Sequence, residues 1–265
     1  MNNNMQNIIN KYDALPAMPN VVMKALNIIK TENSGLKELA QIISYDHSLT
    51  TEVLKLVNSA YYGLPKQITS IQNAISLLGF NEIRKTVIAI TLKPMLTSRG
   101  GRDLWEHSII SAVACEMLAR KVNIIKPEDA FVVAFLHDIG KIVLNHSSPI
   151  AYNKVKTLVA EGNNILEVEN LLIGTTHTDV GFKLAKKWQL PVIIANCIKY
   201  HHSPLQSSVS NVVGLVTYAD IIARCDYANK NIDNIKKLTR LENDTVEELS
   251  DVIFEQASKL IESIN

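Results

Sequence analysis

Histidine and aspartate stand side by side at His137-Asp138, where an apolar run from Ala130 to Leu136 ends. Neighbouring residues on one helical turn point about 100° apart, so this imidazole and carboxylate can lean toward one point and share a cation. A carboxylate among apolar side chains costs several kcal/mol unless it is paired or bound to metal. Asp138 therefore needs a partner. Taken alone, the dipeptide is served as well by a core histidine beside an aspartate that caps the next segment.

Residues of the same types recur along the chain. His107 shares a helical face with Ile110, Ala114 and Leu118 and so points inward. Asp220 lies on an apolar face with Val213, Val216 and Thr217, a second carboxylate in want of a cation. His177 opens the segment His177-Thr178-Asp179-Val180-Gly181, and His201-His202 closes the helix after it. Each of these residues, by itself, is more often a satisfied core polar group than a ligand. As a set of nitrogen and oxygen donors they would favour Fe, Mn, Zn or Ni over Mg or Ca, which prefer all-oxygen shells.

The elements that must position these residues read as helices, with no alternation of period two. Pro19 suits a first helical turn before Val21–Ile29, and Ser34 caps a second helix. A third runs from about Leu49 to Ser59. Ser70 opens a fourth that Gly79 ends, and Asn81 caps a fifth that Pro94 weakens. The segment 97–102, TSRGGR, has no apolar residue and marks a subdomain boundary. Beyond it, helices are expected near Asp103–Lys121, Pro127–Leu144, Pro149–Ala160, Ile165–Leu172, Thr178–Trp188, Pro191–His201 and Val212–Ala223. Cys225–Asn234 reads as a polar linker. A last amphipathic helix, Thr245–Ile264, carries Val246, Leu249, Ile253, Ala257, Leu260 and Ile264 on one face, suited to the core or to a contact between copies of the chain.

Composition narrows the function classes. Of 265 residues, 47% are hydrophobic and 20% charged, as in ordinary globular proteins. A net charge of +1 supplies no broad attraction for nucleic acid or anionic lipid. Cys115, Cys197 and Cys225 are scattered without a CxxC pair and read as buried apolar residues in a reducing compartment. The N-terminal residues lack a signal peptide's basic and apolar regions, and no apolar run approaches a membrane span. These features lead us to expect a cytoplasmic protein with no membrane and no nucleic-acid partner.

Eight phrases occur in one order: LPAMPNVV (15–22), LVNSAYYGLP (56–65), SIQNAISLLGF (70–80), WEHS (105–108), FLHDIGK (135–141), THTDVG (176–181), YHHSP (200–204) and YADIIAR (218–224). In these the chain resembles an HDOD domain, the HD-related output domain of bacterial signalling proteins, over about residues 14–228. The resemblance implies an all-α fold in which an N-terminal helical lobe (1–97) packs on an HD-like helical lobe (98–228), followed by a linker and the C-terminal helix (229–265). The wider HD phosphohydrolase superfamily binds metal through positions that match His107, His137, Asp138 and Asp220. Its cyclic-dinucleotide phosphodiesterase branch, the HD-GYP proteins, adds ligands that match His177, His201 and His202. Lys141 matches a residue that contacts substrate phosphate in relatives; its plainer role is a solvated lysine near a helix end. Asp103, four residues before His107, matches a bridging carboxylate of some relatives and would equally cap its helix.

The departures bear on function. After the His-His pair the HD-GYP proteins continue with a Glu and a Gly-Tyr-Pro loop, whereas this chain reads SPLQSSVSNVV. Most HDOD relatives are taken as regulatory or protein-interaction modules. The first expectation is thus a non-catalytic signalling module that binds other proteins, keeps a metal site and can pair with a second copy through its C-terminal helix. The alternative is a metal-dependent phosphohydrolase acting on a nucleotide or cyclic dinucleotide.

Overall fold

In a computed structural model the described residues are 18–27, 34–225, 232–241 and 243–265, and among them every regular element is a helix. The first five are α1 (Asn20–Asn27), α2 (Ser34–Tyr45), α3 (His47–Val57), α4 (Ile71–Leu78) and α5 (Phe80–Thr97). Local chemistry sets several of their ends. The Asp46 carboxylate accepts the Leu49 N–H at 3.0 Å to cap α3, and the Ser70 hydroxyl accepts the Asn73 N–H at 3.1 Å to cap α4. Gly79, at φ +86°, turns the chain directly from α4 into α5. Asn81 therefore does not cap α5 as expected; its amide donates to Glu128 at 2.5 Å instead. Pro94 lies inside α5, which continues for three residues to Thr97. The expectations on residues 1–17, on the Ser34 side chain and on 226–231 lie outside what is described.

A 3₁₀ turn, Ser98–Gly100, crosses the glycine-rich break into α6 (Arg102–Lys121). Next come α7 (Pro127–Leu136), α8 (Gly140–Ser147), α9 (Pro149–Ala160) and α10 (Ile165–Ile173). These are followed by α11 (His177–Lys187), α12 (Val192–Tyr200), the 3₁₀ turn Pro204–Gln206 and α13 (Ser210–Ala223). The helix expected over Pro127–Leu144 is broken at His137–Ile139, which separates α7 from α8. In α7 every residue from Ala130 to Leu136 is buried, with Phe135 edge-on to Trp105 of α6 at 5.9 Å. The apolar run thus carries the His-Asp pair into the interior.

Part of the expected linker is helical. Ile232–Thr239 forms α14, which buries Ile235 and lays Leu238 and Thr239 against Gly214 of α13. Its polarity hid the single apolar face it needs. The last helix, α15 (Asn243–Ile264), buries Ile253, Ala257 and Leu260 and packs on α6 and α3. That part of its stripe is used within the chain.

Helix α5 is covered on several sides, and its buried residues include Arg84 and Lys85. Their partners come from the helices beyond the break. Arg84 pairs with Asp129 at 2.5 Å, and Lys85 donates to both Glu116 oxygens at 2.7 and 2.8 Å while also meeting Glu82 at 2.8 Å. Removing one member of a buried pair strands the other charge, and replacing both with apolar groups does not. Glu116→Ala is therefore expected to destabilise the protein by about 3 kcal/mol, at the low end because Glu82 remains. The pair Lys85→Met, Glu116→Leu should recover most of that loss in urea denaturation.

Candidate metal centre

Five segments bring the chemistry together. His107 comes from the second turn of α6, and His137 and Asp138 from the turn between α7 and α8. His177 is the first residue of α11, His201 and His202 follow the end of α12, and Asp220 lies near the end of α13. Two groups result, His107–His137–Asp138–Asp220 and His177–His201–His202. All seven residues expected from the sequence are thus brought to one place.

In the first group, His107 Nε2 lies 3.3 Å from Asp138 Oδ2, 3.2 Å from Asp220 Oδ1 and 3.4 Å from His137 Nε2. His137 Nε2 lies 3.4 Å from Asp138 Oδ2 and 3.7 Å from Asp220 Oδ1. In the second, His177 Nε2 is 3.2 Å from both His201 Nε2 and His202 Nε2. The other Asp138 oxygen, Oδ1, stands 3.4 Å from His177 Nε2 and 3.5 Å from His201 Nε2. Ligands about 2.1 Å from an ion stand about 3.0 Å apart in an octahedron and about 3.4 Å apart in a tetrahedron. The spacing of each group would suit donors around one ion, and Asp138 stands between the two groups.

Three details agree with that fit. Carbonyls face the Nδ1 atoms of His137 (Ala134, 2.6 Å) and His201 (Ile198, 3.0 Å), and the Glu169 carboxylate faces Nδ1 of His177 at 2.8 Å. An acceptor there holds the ring proton on Nδ1 and turns the Nε2 lone pair inward. Asp138 is wholly buried, yet its Oδ1 has no hydrogen-bond partner. A buried oxygen left so is costly in a finished core and natural in a cation site. Finally, cationic side chains offset both carboxylates: Lys141 pairs with Asp138 Oδ2, the oxygen that also faces His107 and His137, and Arg224 pairs with Asp220 Oδ2 at 2.6 Å.

The titration pattern follows from burial and these neighbours. Burial opposes charge on His137, but the Asp138 and Asp220 carboxylates outweigh it and push the imidazole up to about 10. Burial likewise opposes ionisation of Asp138, and His137 and Lys141 hold it well below the usual carboxylate range. His107, His137 and Arg224 do the same for Asp220. Burial holds His177, His201 and His202 below the ordinary histidine value, so they are neutral donors.

Two further groups escaped sequence reasoning. Glu169 on α10 accepts both the backbone N–H and the Nδ1–H of His177, each at 2.8 Å. Its signal was present: Ile165, Glu169 and Ile173 stand four apart, an acid on an apolar stripe. The second group is a glycine pair. A Cβ on Gly140 would stand 1.9 Å from the His177 carbonyl oxygen and 2.8 Å from the Gly181 nitrogen. Bare backbone there lets α8 approach α11 and brings Asp138 to His177. Asp103 lies outside both groups; it lines, with His107, Lys141 and Tyr152, a cleft of about 330 Å³ that opens beside the centre.

The chain's relatives can now be set beside this geometry. A family model described as the HDOD domain matches residues 15–204. The chain belongs to the HDOD family. An uncharacterized protein of Treponema pallidum (strain Nichols) is 26% identical over 200 residues, 74% of this chain and 39% of the relative. The uncharacterized protein YuxH of Bacillus subtilis (strain 168) is 36% identical over 122 residues, 44% of this chain and 29% of its own. The chain therefore spans well under half the length of these relatives. A crystal structure of an HDOD domain protein from Geobacter sulfurreducens superposes with a TM-score of 0.82 at 24% identity, covering 98% of both chains. The HDOD match ends at residue 204, short of Asp220, which tertiary structure nonetheless sets 3.2 Å from His107.

Two predictions follow from the HDOD chain's own packing. Gly140→Ala forces α8 and α11 apart and should cost more than about 2 kcal/mol in denaturant unfolding. Burial pushes Glu169 up to about 7, against the His177 N–H. Its folded-state value thus lies above the usual 4.5, so protonation favours the native state. That contribution is full below pH 4.5 and is lost as pH rises through 7. In metal-free protein Glu169→Gln should therefore flatten the fall in stability between about pH 4.5 and 7, measured by urea midpoints across that range.

Proposed function

We propose that this chain is an HDOD signalling module built around a two-metal centre, which reports ligand occupancy to protein partners instead of turning over a cyclic dinucleotide. Asp138 carries the reading: one buried carboxylate faces both donor groups and leaves Oδ1 without a hydrogen bond. His107, His137, Asp138 and Asp220 would hold one ion, and His177, His201, His202 and the second Asp138 oxygen the other. The donor chemistry favours Fe, Mn, Zn or Ni. Two carboxylates serve the first position and one shared oxygen serves the second, so the first should fill first and bind more tightly. The helices of the N-terminal lobe (1–97), joined to the rest through the Arg84 and Lys85 ion pairs, are the surface we assign to partners.

Among the described residues no helix is long and apolar enough to cross a membrane. The 3₁₀ turn and its flanks, Ser203 to Ser208, stand where HD-GYP proteins carry a substrate-positioning loop; they hold no Tyr to stack on a base and no Arg for phosphates. Positioning of that kind is worth several kcal/mol of a hydrolytic barrier.

The phosphohydrolase reading has one observation in its favour: Lys141 sits at the centre and lines the adjoining cleft. Metal ions would supply Lewis acidity and an activated water there; Lys141 would orient a phosphate. Protein loaded anaerobically with Mn or Fe is expected to show no multiple turnover of cyclic diguanylate. Turnover abolished by His137→Ala with Asp138→Ala would reverse the order of the two readings.

Metal content tests the centre itself. Loaded protein should carry two ions per chain by elemental analysis. His202→Ala is expected to retain one, and Asp138→Asn fewer than one. A wild-type content near zero after loading would overturn the two-metal reading.

A further inference from the structure

The cleft beside the centre is unlike a nucleotide site. Its walls are Leu96, Leu104, Ile142, Val155, Val159 and Ile165, contributed by α5, α6, α8, α9 and α10. Tyr152, itself buried, contributes the aromatic surface. Burial, with Glu169 and Asp138, raises its phenol further above the ordinary value, so it stays neutral. The charged lining residues besides His107 are Lys141, Lys156 and Asp103, and Lys141 already pairs with Asp138. No arginine lines the cleft. A nucleobase placed here would surrender water from its polar edge and find few donors or acceptors in return. A second phosphate would meet Asp103. What these walls do favour is apolar surface, with a single anionic group at the end where His107 and Lys141 lie.

We propose that the cleft takes a small soluble amphiphilic anion, a phosphate- or phosphonate-type head carried on an apolar body. The head lies against the His107–Asp138–Asp220 position and Lys141, and the body lies along the Leu104, Val155 and Val159 walls. This rests on the two-metal reading above, since the ions supply the charge that the lining side chains lack. The volume of about 330 Å³ is at the small end for ligand sites, so the body is short. The inference also gives the module a mechanism of report: the walls come from α5 as well as α6, α8 and α9, so filling the cleft changes the contact between the N-terminal helices and the rest.

Titration of n-alkylphosphonates, from methyl to octyl, into Mn-loaded full-length protein by calorimetry tests this directly. Affinity should rise about three- to fourfold with each added methylene and then level off as the cleft fills. In Val159→Trp the methylphosphonate affinity should be unchanged while the rise with chain length is lost. If that variant does not fold, Val159→Thr preserves the space and should shallow the rise. Methylphosphonate binding with no dependence on chain length overturns the amphiphile inference and leaves the metal reading intact. Failure to take up Mn overturns both, and uptake of Mn with no binding of any phosphonate overturns the amphiphile inference alone. Cyclic diguanylate binding more tightly than octylphosphonate, or sedimentation of the protein with phosphatidic acid vesicles that octylphosphonate does not release, also overturns it.

Discussion

A carboxylate with no access to water sits at the meeting point of every segment that matters in this molecule. Asp138 is wholly buried, yet His137 and Lys141 hold it ionised against the cost of that burial. The ionised oxygens then face two different sets of imidazole nitrogens. Without that charge, His137 would be an ordinary neutral core histidine, and the Nε2 atoms of His177 and His201 would face no carboxylate oxygen. The Asp138 and Asp220 carboxylates, 3.4 and 3.7 Å from His137 Nε2, favour a proton on that imidazole against the cost of its burial. A cation held between these carboxylates would therefore compete with a proton on His137.

The two donor groups differ in kind because their surroundings differ. His107 and His137 share their space with two carboxylates, each of which also pairs with a cationic side chain, Lys141 on Asp138 and Arg224 on Asp220. His177, His201 and His202 are held neutral by burial. One position combines two carboxylates with two imidazoles and the other gathers three imidazoles, and Asp138 faces both. Supporting contacts keep that asymmetry: Glu169 orients His177, and backbone carbonyls orient His137 and His201. Such second partners matter because a ring free to rotate presents its lone pair only part of the time.

The same logic extends outward to the packing. Gly140 and the backbone around His177 and Gly181 approach so closely that no side chain fits between α8 and α11. Farther away, α5 contributes Arg84 and Lys85 to buried pairs with Asp129 and Glu116, which fasten the N-terminal helices to α6 and α7. Helix α6 also supplies His107, and α7 leads into His137. A change in how α5 sits is thus one helix away from the donors.

Much of this was legible in the sequence. Helical periodicity, the Ser70 cap and the glycine turn at Gly79 depend on residues a few positions apart, so they are written locally. The His and Asp residues could be picked out because a charged or titratable group on an apolar stripe demands a partner wherever it folds. Other features depended on groups distant along the chain. The break at His137–Ile139 interrupts a run that periodicity carries as one helix from Pro127 to Leu144. Helix α14 packs on α13, where Gly214 leaves room for Leu238 and Thr239. Glu169 gains its role from a histidine eight residues on, across a turn. Composition and spacing determined an all-helical chain carrying seven potential donors. Only the tertiary structure decided that they form two groups sharing Asp138 beside an apolar cleft, because donor spacing of a few ångströms is set by helix packing and not by position along the chain.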